Sequence, residues 1–194
     1  VFGDGKANSS MELLPATYTF EVSYAGATQT QDVDIKDTDK EVEVVFQTTK
    51  VTVKLLDSKG NPLDGGTAQY RASGWRAFGD GKANSSMELL PATYTFEVNY
   101  NGASQVKNDV VISKGKENVV VFQTVSVILH YKGGTMQYYS GGWKPYTGAL
   151  EMLPVSIRFE LQRSGWPTQY FYITPVEGQV YEKTIAVIRL VDSS

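Results

Sequence analysis

Aromatic side chains with polar tips crowd the C-terminal third of this chain, and they are its best-equipped groups for recognition. Tyr and Trp join a large stacking surface to a hydrogen-bonding tip, so a coplanar set can hold a sugar ring or anchor a protein partner. Trp166, Tyr170 and Tyr172 stand out. Tyr170 and Tyr172 flank Phe171, which puts both on one face of a strand. These residues form a candidate surface for a glycan or a partner protein; the competing use is to cover a free end of the molecule.

Acid–base and nucleophilic chemistry has less to work with. There is one histidine, His130, and no cysteine. Thiolate and disulfide chemistry are therefore excluded, and a zinc site or a His-based triad lacks partners. Asp4–Asn8 and Asp80–Asn84 (DGKAN in both) carry too few carboxylates for the six to eight oxygens that Ca²⁺ wants, and read as hairpin turns. Asn8 and Asn84 each open an Asn-Ser-Ser sequon in an expected exposed hairpin, which makes them candidate glycosylation sites. The LPAT stretches at Leu14–Thr17 and Leu90–Thr93 are each followed by Tyr and no membrane tail, so they read as strand starts. With no nucleophile–base pair, metal set or phosphate loop, the expectation is a protein that is not an enzyme and takes no cofactor.

The elements that position these groups come from a repeat. Phe2–Val22 reads FGDGKANSSMELLPATYTFEV, and so does Phe78–Val98, 76 residues further on. VVFQT recurs at Val44–Thr48 and Val120–Thr124. That period is too long for a solenoid unit and suits a small complete domain. It divides the chain into an incomplete unit at 1–48, a full unit at 49–124 and a divergent third unit at 125–194. In the third, Thr135–Trp143 matches Thr67–Trp75 and Glu151–Pro154 matches Glu88–Pro91. A divergent last member is the expected cap of an array. Trp143 matches Trp75 and is therefore expected to be structural. Trp166 takes the place of Ala103 and has no counterpart.

Every unit reads as β. Tyr94, Phe96 and Val98 alternate with Thr93, Thr95 and Glu97, and Val51, Val53 and Leu55 alternate with Thr52 and Lys54. Val119–Phe122 is a continuous β-branched and aromatic run, expected as a central strand; Thr184–Val191 is expected as the last strand. Turn signals at Asp57–Pro62, Asp80-Gly81, Asn101-Gly102 and Lys114-Gly115 separate the runs. About seven strands per full unit predict a compact sandwich, and no helix is expected.

The incomplete unit lacks the counterpart of Thr49–Arg76. Half a sandwich leaves strand edges in water. Either residue 1 is the edge of a longer polypeptide, or a neighbouring subunit completes residues 1–48 by strand complementation. Against the latter, the third unit has no spare tail to donate. The formal net charge of −3 comes with interspersed signs, so no nucleic-acid partner is expected; no apolar stretch is long enough for a membrane span.

The full unit, with Asp57, Gly60, Pro62 and Leu63 in its first turn and Leu90, Pro91, Thr93, Tyr94 and Gly102 in its later hairpin, resembles the carboxypeptidase-regulatory and Cna B-type modules, which are prealbumin-like β-sandwiches. It is also similar to tandem Ig-like repeats of large bacterial surface proteins. The resemblance implies an extracellular or cell-surface location, a bacterial architecture of stalk, adhesin arm or filament, and partners that are neighbouring repeats, copies of the chain, glycans or surface proteins. Some Cna B-type modules carry a Lys–Asn isopeptide bond. Here Lys54 and Glu97 each fall one residue off the family positions, which are Leu55 and Val98. One step along a strand turns a side chain to the opposite face, so the bond is not expected.

Overall fold

A computed structural model describes residues 5–186. Among the described residues there is no helix, and the chain is all-β. It opens with a hairpin of β1 (Ala16–Tyr24) and β2 (Ala27–Ile35), paired in unbroken antiparallel register from Ala16↔Ile35 to Tyr24↔Ala27. The two turn residues, Ala25 and Gly26, both have positive φ, 53° and 85°. This is the backbone handedness that a two-residue hairpin loop needs to match strand twist.

Seven strands follow between residues 49 and 123, as expected. They are β3 (Thr49–Leu56), β4 (Thr67–Arg71), β5 (Trp75–Lys82), β6 (Ser85–Leu89), β7 (Thr93–Tyr100), β8 (Ala103–Val111) and β9 (Asn118–Gln123). They form a three-stranded sheet, β6-β3-β9, and a four-stranded sheet, β5-β4-β7-β8. The β3–β9 pair is parallel and the other pairs are antiparallel. The inward residues are those that the alternation selects. Val51, Val53 and Leu55 of one sheet meet Tyr70, Phe78, Tyr94, Phe96 and Val98 of the other in one buried cluster, closed by Val120 and Phe122. Tyr70–Phe78 and Phe78–Phe96 meet edge-to-face at centroid distances of 6.1 and 5.7 Å, the arrangement ring quadrupoles favour. Inner faces that interdigitate this way make the arrangement β-sandwich-like.

The plan then repeats element for element. β10 (Val125–Tyr131), β11 (Thr135–Tyr139), β12 (Trp143–Pro145), β13 (Leu150–Met152), β14 (Ile157–Gln162), β15 (Gln169–Ile173) and β16 (Tyr181–Ile185) form sheets ordered β13-β10-β16 and β12-β11-β14-β15. A second buried cluster includes Val127, Leu129, Met136, Phe159, Leu161 and Ile173. Tyr146 lies within it. Its hydroxyl accepts from the Leu129 amide at 2.7 Å and donates to the Val127 carbonyl at 3.3 Å, so the buried polar tip is satisfied.

Two expectations need correction. The apolar run at Val119–Phe122 forms an edge strand, not a central one; β3 is central, because it alone pairs on both sides. Val119 and Val121 are half-buried on the outer face, while Val120 and Phe122 point into the core. The last described strand begins at Tyr181, three residues before the expected start, where it aligns with Val127 of β10; its expected end, Val191, lies outside the described residues. Trp75 and Trp143, expected to be structural, lie on the outer faces of their sheets. Each sits directly across a tight turn from an outward residue, Arg71 and Tyr139, and therefore faces out as well, at 43% and 40% exposure.

Candidate functional site

The outward face of the β12-β11-β14-β15 sheet gathers the exposed aromatics. Phe159 points into the core, so its neighbour Arg158 points out; Phe171 packs against the core, so Tyr170 and Tyr172 point out, 53% and 67% exposed. Register places Trp143 across from Tyr139 and Arg158 across from Tyr172. The Tyr139 and Trp143 rings meet edge-to-face at 5.5 Å. The Arg158 guanidinium carbon lies 4.3 Å from the centroid of Tyr170 and 5.5 Å from that of Trp143. A guanidinium held between two ring faces is a favourable cation–π arrangement. Its Nε is buried and finds no hydrogen-bond partner among the described residues. The full unit has a smaller version of this motif, with Arg71 over Trp75 at 5.6 Å.

The structure therefore brings Tyr170 and Tyr172 together with two residues that strand reasoning missed, Trp143 and Arg158. The missed signal is register. Once Tyr138 is placed inward, Tyr139 must face out, and so must its partner across the Ser140–Gly142 turn. Trp166 is 51% exposed in the turn between β14 and β15. It makes none of the ring contacts that join Tyr139, Trp143, Arg158 and Tyr170.

The other candidates fall elsewhere. His130 is exposed on β10, with Nε2 2.6 Å from Glu182 Oε1 on the adjacent parallel strand. Among the described residues no group of three His, Cys, Asp or Glu side chains could hold a metal. Lys54 is exposed on the outer face of one sheet; Glu97 lies on the outer face of the other, accepting from Gln69 Nε2 at 2.9 Å. The two are not brought together. Asp57 Oδ1 and Oδ2 accept from Asn61 Nδ2 and from the Asn61 and Lys59 amides. The Asn61 side chain, then these backbone donors, hold the Asp57 carboxyl below its usual range.

Asn84 has φ 62° and uses its amide structurally. Oδ1 accepts from the Leu55 amide and Nδ2 donates to the Leu63 carbonyl, both at 2.8 Å. A sugar on Nδ2 would have to displace that clasp. Asn8, at φ 61°, is exposed and has no such partner among the described residues.

Two junctions join the β1–β2 hairpin and the two sheet sets. Only Thr124 separates β9 from β10. It is fully buried; its amide donates to the Leu56 carbonyl at 2.9 Å and its hydroxyl bonds Glu151. The same carboxylate accepts from the Ser58 hydroxyl at 2.6 Å and the Ser58 amide at 3.0 Å. Nearby, the Asn101–Gly102 hairpin tip seats against Ser140, so closely that a Cβ on Gly102 would lie 2.6 Å from the Ser140 carbonyl oxygen. The earlier tip does likewise. The Ala25 carbonyl accepts from Tyr70 Oη at 3.0 Å, and a Cβ on Gly26 would lie 3.3 Å from Ser73 Oγ.

Comparison with known proteins adds little. The chain matches no protein-family model and no curated protein. Among solved structures it is similar to the Bacillus anthracis TIE protein at a TM-score of 0.33 and 8% identity, with 89% of this chain and 41% of that chain covered. At that similarity the match carries no argument, and this chain spans less than half of that one.

Proposed function

We propose that this chain is part of a non-enzymatic extracellular stalk, adhesin arm or filament built from tandem Ig-like repeats. The observation that carries the reading is the recurring junction. In both places a two-residue hairpin tip from one repeat seats on the β4-type or β11-type end of the next. A flexible linker would let neighbouring units reorient freely. At the later junction the connection is one buried, doubly hydrogen-bonded residue, with Leu153 of the later repeat inserted in the earlier core. At the earlier junction, where residues 36–48 separate β2 from β3, the seated hairpin tip is the shared feature. Such a joint resists bending and transmits load, which is what a spacer needs.

Small-angle scattering of the whole chain tests this. Regularly spaced, elongated particles are expected; a compact globule with the repeats folded back on one another overturns the reading. A second reading, favoured by the Arg158 sandwich, is a glycan- or protein-binding module that uses Trp143, Tyr170 and Tyr172. It expects Trp143→Ala with Tyr170→Ala to abolish binding on a glycan or surface-protein array while the melting temperature stays within about 3 °C, since exposed substitutions cost little. Unfolding of the unit by the same pair would assign these residues to stability instead.

A further inference from the structure

The outward aromatic face departs selectively from its counterpart in the full unit. Inward positions are kept: Tyr138 pairs with Phe159 as Tyr70 pairs with Phe96. Outward positions change. The same register puts Tyr139 where Arg71 stands and Arg158 where Thr95 stands. Tyr170 pairs with Glu160 where Val106 pairs with Glu97. Core packing asks for none of these exposed rings, and a cluster of them on one sheet face marks a recognition surface. Arg158 carries the chemistry of that face. Its guanidinium is stacked between Tyr170 and Trp143, its terminal nitrogens reach solvent, and it makes no hydrogen bond or ion pair among the described residues. The only acid on these four strands, Glu160, is 7% exposed and accepts from Gln162 Nε2. A cation is thus held in a fixed pose without a counter-charge, on a chain whose formal net charge is −3.

We propose that this face binds a carboxylate-bearing sugar, a pyranose of the uronate kind. The carboxylate accepts from the two terminal guanidinium nitrogens, the fork geometry in which Arg–carboxylate pairs are strongest. The C–H face of the ring stacks on Tyr170 or Tyr172, whose polar tips can meet its hydroxyls. Area favours a sugar over a protein. The partly exposed rings of Tyr139, Trp143, Tyr170 and Tyr172 offer roughly 400 Å², about half of the ~800 Å² that each side of a standard protein interface buries. A short oligosaccharide fits within that area. The inference deepens the binding-module reading of the same face and rests on it.

The test titrates the whole chain by calorimetry with oligogalacturonate, a hyaluronan oligosaccharide and sialyllactose, each beside its methyl ester. Expected is binding of at least one acid, with its ester at least about tenfold weaker, since the ester offers the guanidinium no charge. Arg158→Lys keeps the charge and loses the fork; Tyr172→Ala loses a stacking ring. Each should weaken binding of that acid by at least about tenfold while the melting temperature stays within about 3 °C. Arg71→Ala, at the smaller motif of the full unit, should leave binding unchanged. Equal binding of acid and ester, or unchanged binding by Arg158→Lys, overturns the proposal and leaves the binding-module reading standing. Binding of poly-glutamate with no sugar bound does the same and assigns the face to an acidic protein. If neither the sugars nor poly-glutamate bind at millimolar concentration, both fail. Should a variant unfold, the comparison of acid with ester on the unsubstituted chain still decides.

Discussion

Residues 5–22 and 81–98 carry one sequence through two environments, and what they share separates cleanly from what they do not. Both keep the Gly-Lys-Ala-Asn turn, with Gly5 and Gly81 at φ 78° and 82° and Asn8 and Asn84 at 61° and 62°. Both keep the serine bond that closes it, Ser9 Oγ to Lys6 O at 2.8 Å and Ser85 Oγ to Lys82 O at 2.7 Å. Both keep the tyrosine hook, with Tyr18 Oη donating to Leu14 O and Tyr94 Oη to Leu90 O at 2.9 and 2.8 Å. Both form the long hairpin. Only the second copy forms β6, β9 and the Asn84 clasp. Each of these needs β3 or the loop after it, so contacts within the repeated stretch form in either setting, and contacts to a distant strand form only where that strand is present.

Paired substitutions can break or sharpen this comparison. The largest difference is expected at the cores. Phe96→Ala should cost about 3–5 kcal/mol in denaturant unfolding of the full unit, because a fully buried ring leaves a cavity; Phe20→Ala, at a half-buried ring, should cost well under half as much. Equal costs would show that the first copy has a packed core of its own. Next come the asparagines. Asn84→Ala removes partners from the Leu55 amide and Leu63 carbonyl and should cost about 1–3 kcal/mol, whereas Asn8→Ala should stay within about 1 kcal/mol, the scale of its positive φ alone.

The junctions give a smaller contrast. Glu151→Ala strips the acceptor from Ser58 and Thr124 and should cost about 1–2 kcal/mol, with broader scattering profiles as the joint loosens. Glu88→Ala, at the exposed counterpart, should be silent in both measurements. The last effect is absent at neutral pH. Burial, then the neighbouring Tyr70, pushes Tyr94 up to about 12 from 10.0. A raised folded-state value means that its contribution is intact below pH about 10 and is lost as pH rises through about 12, because the unfolded chain ionises first. Tyr94→Phe should flatten that alkaline decline in stability; an unchanged decline would place its origin elsewhere.

Much of the architecture was legible before any coordinates. Strict alternation at Val51–Leu55 and Tyr94–Val98 gave the inward faces, and Asn101-Gly102 gave its turn, because strand period and turn handedness are backbone properties that side-chain type reports locally. The outward position of Trp75 and Trp143 was harder to see. It depends on cross-strand register through a tight turn, and a large aromatic is otherwise expected inside. The Arg158 sandwich was hidden for the same reason, since its three members come from β12, β14 and β15. The edge position of β9 was hidden too: a run such as VVVF satisfies a strand with one neighbour or two, and sheet order alone decides.

By itself the sequence determined the repeat, the β character of every unit, the turns and the alternation that chooses each inward side chain. These follow from torsional preference and side-chain period, which act over a few residues. Tertiary structure alone decided whether VVFQ becomes a strand, whether an Asn amide becomes a clasp, and which aromatics meet around Arg158. Each of those outcomes needs a partner group brought from far along the chain, and identical residues without that partner remain in water.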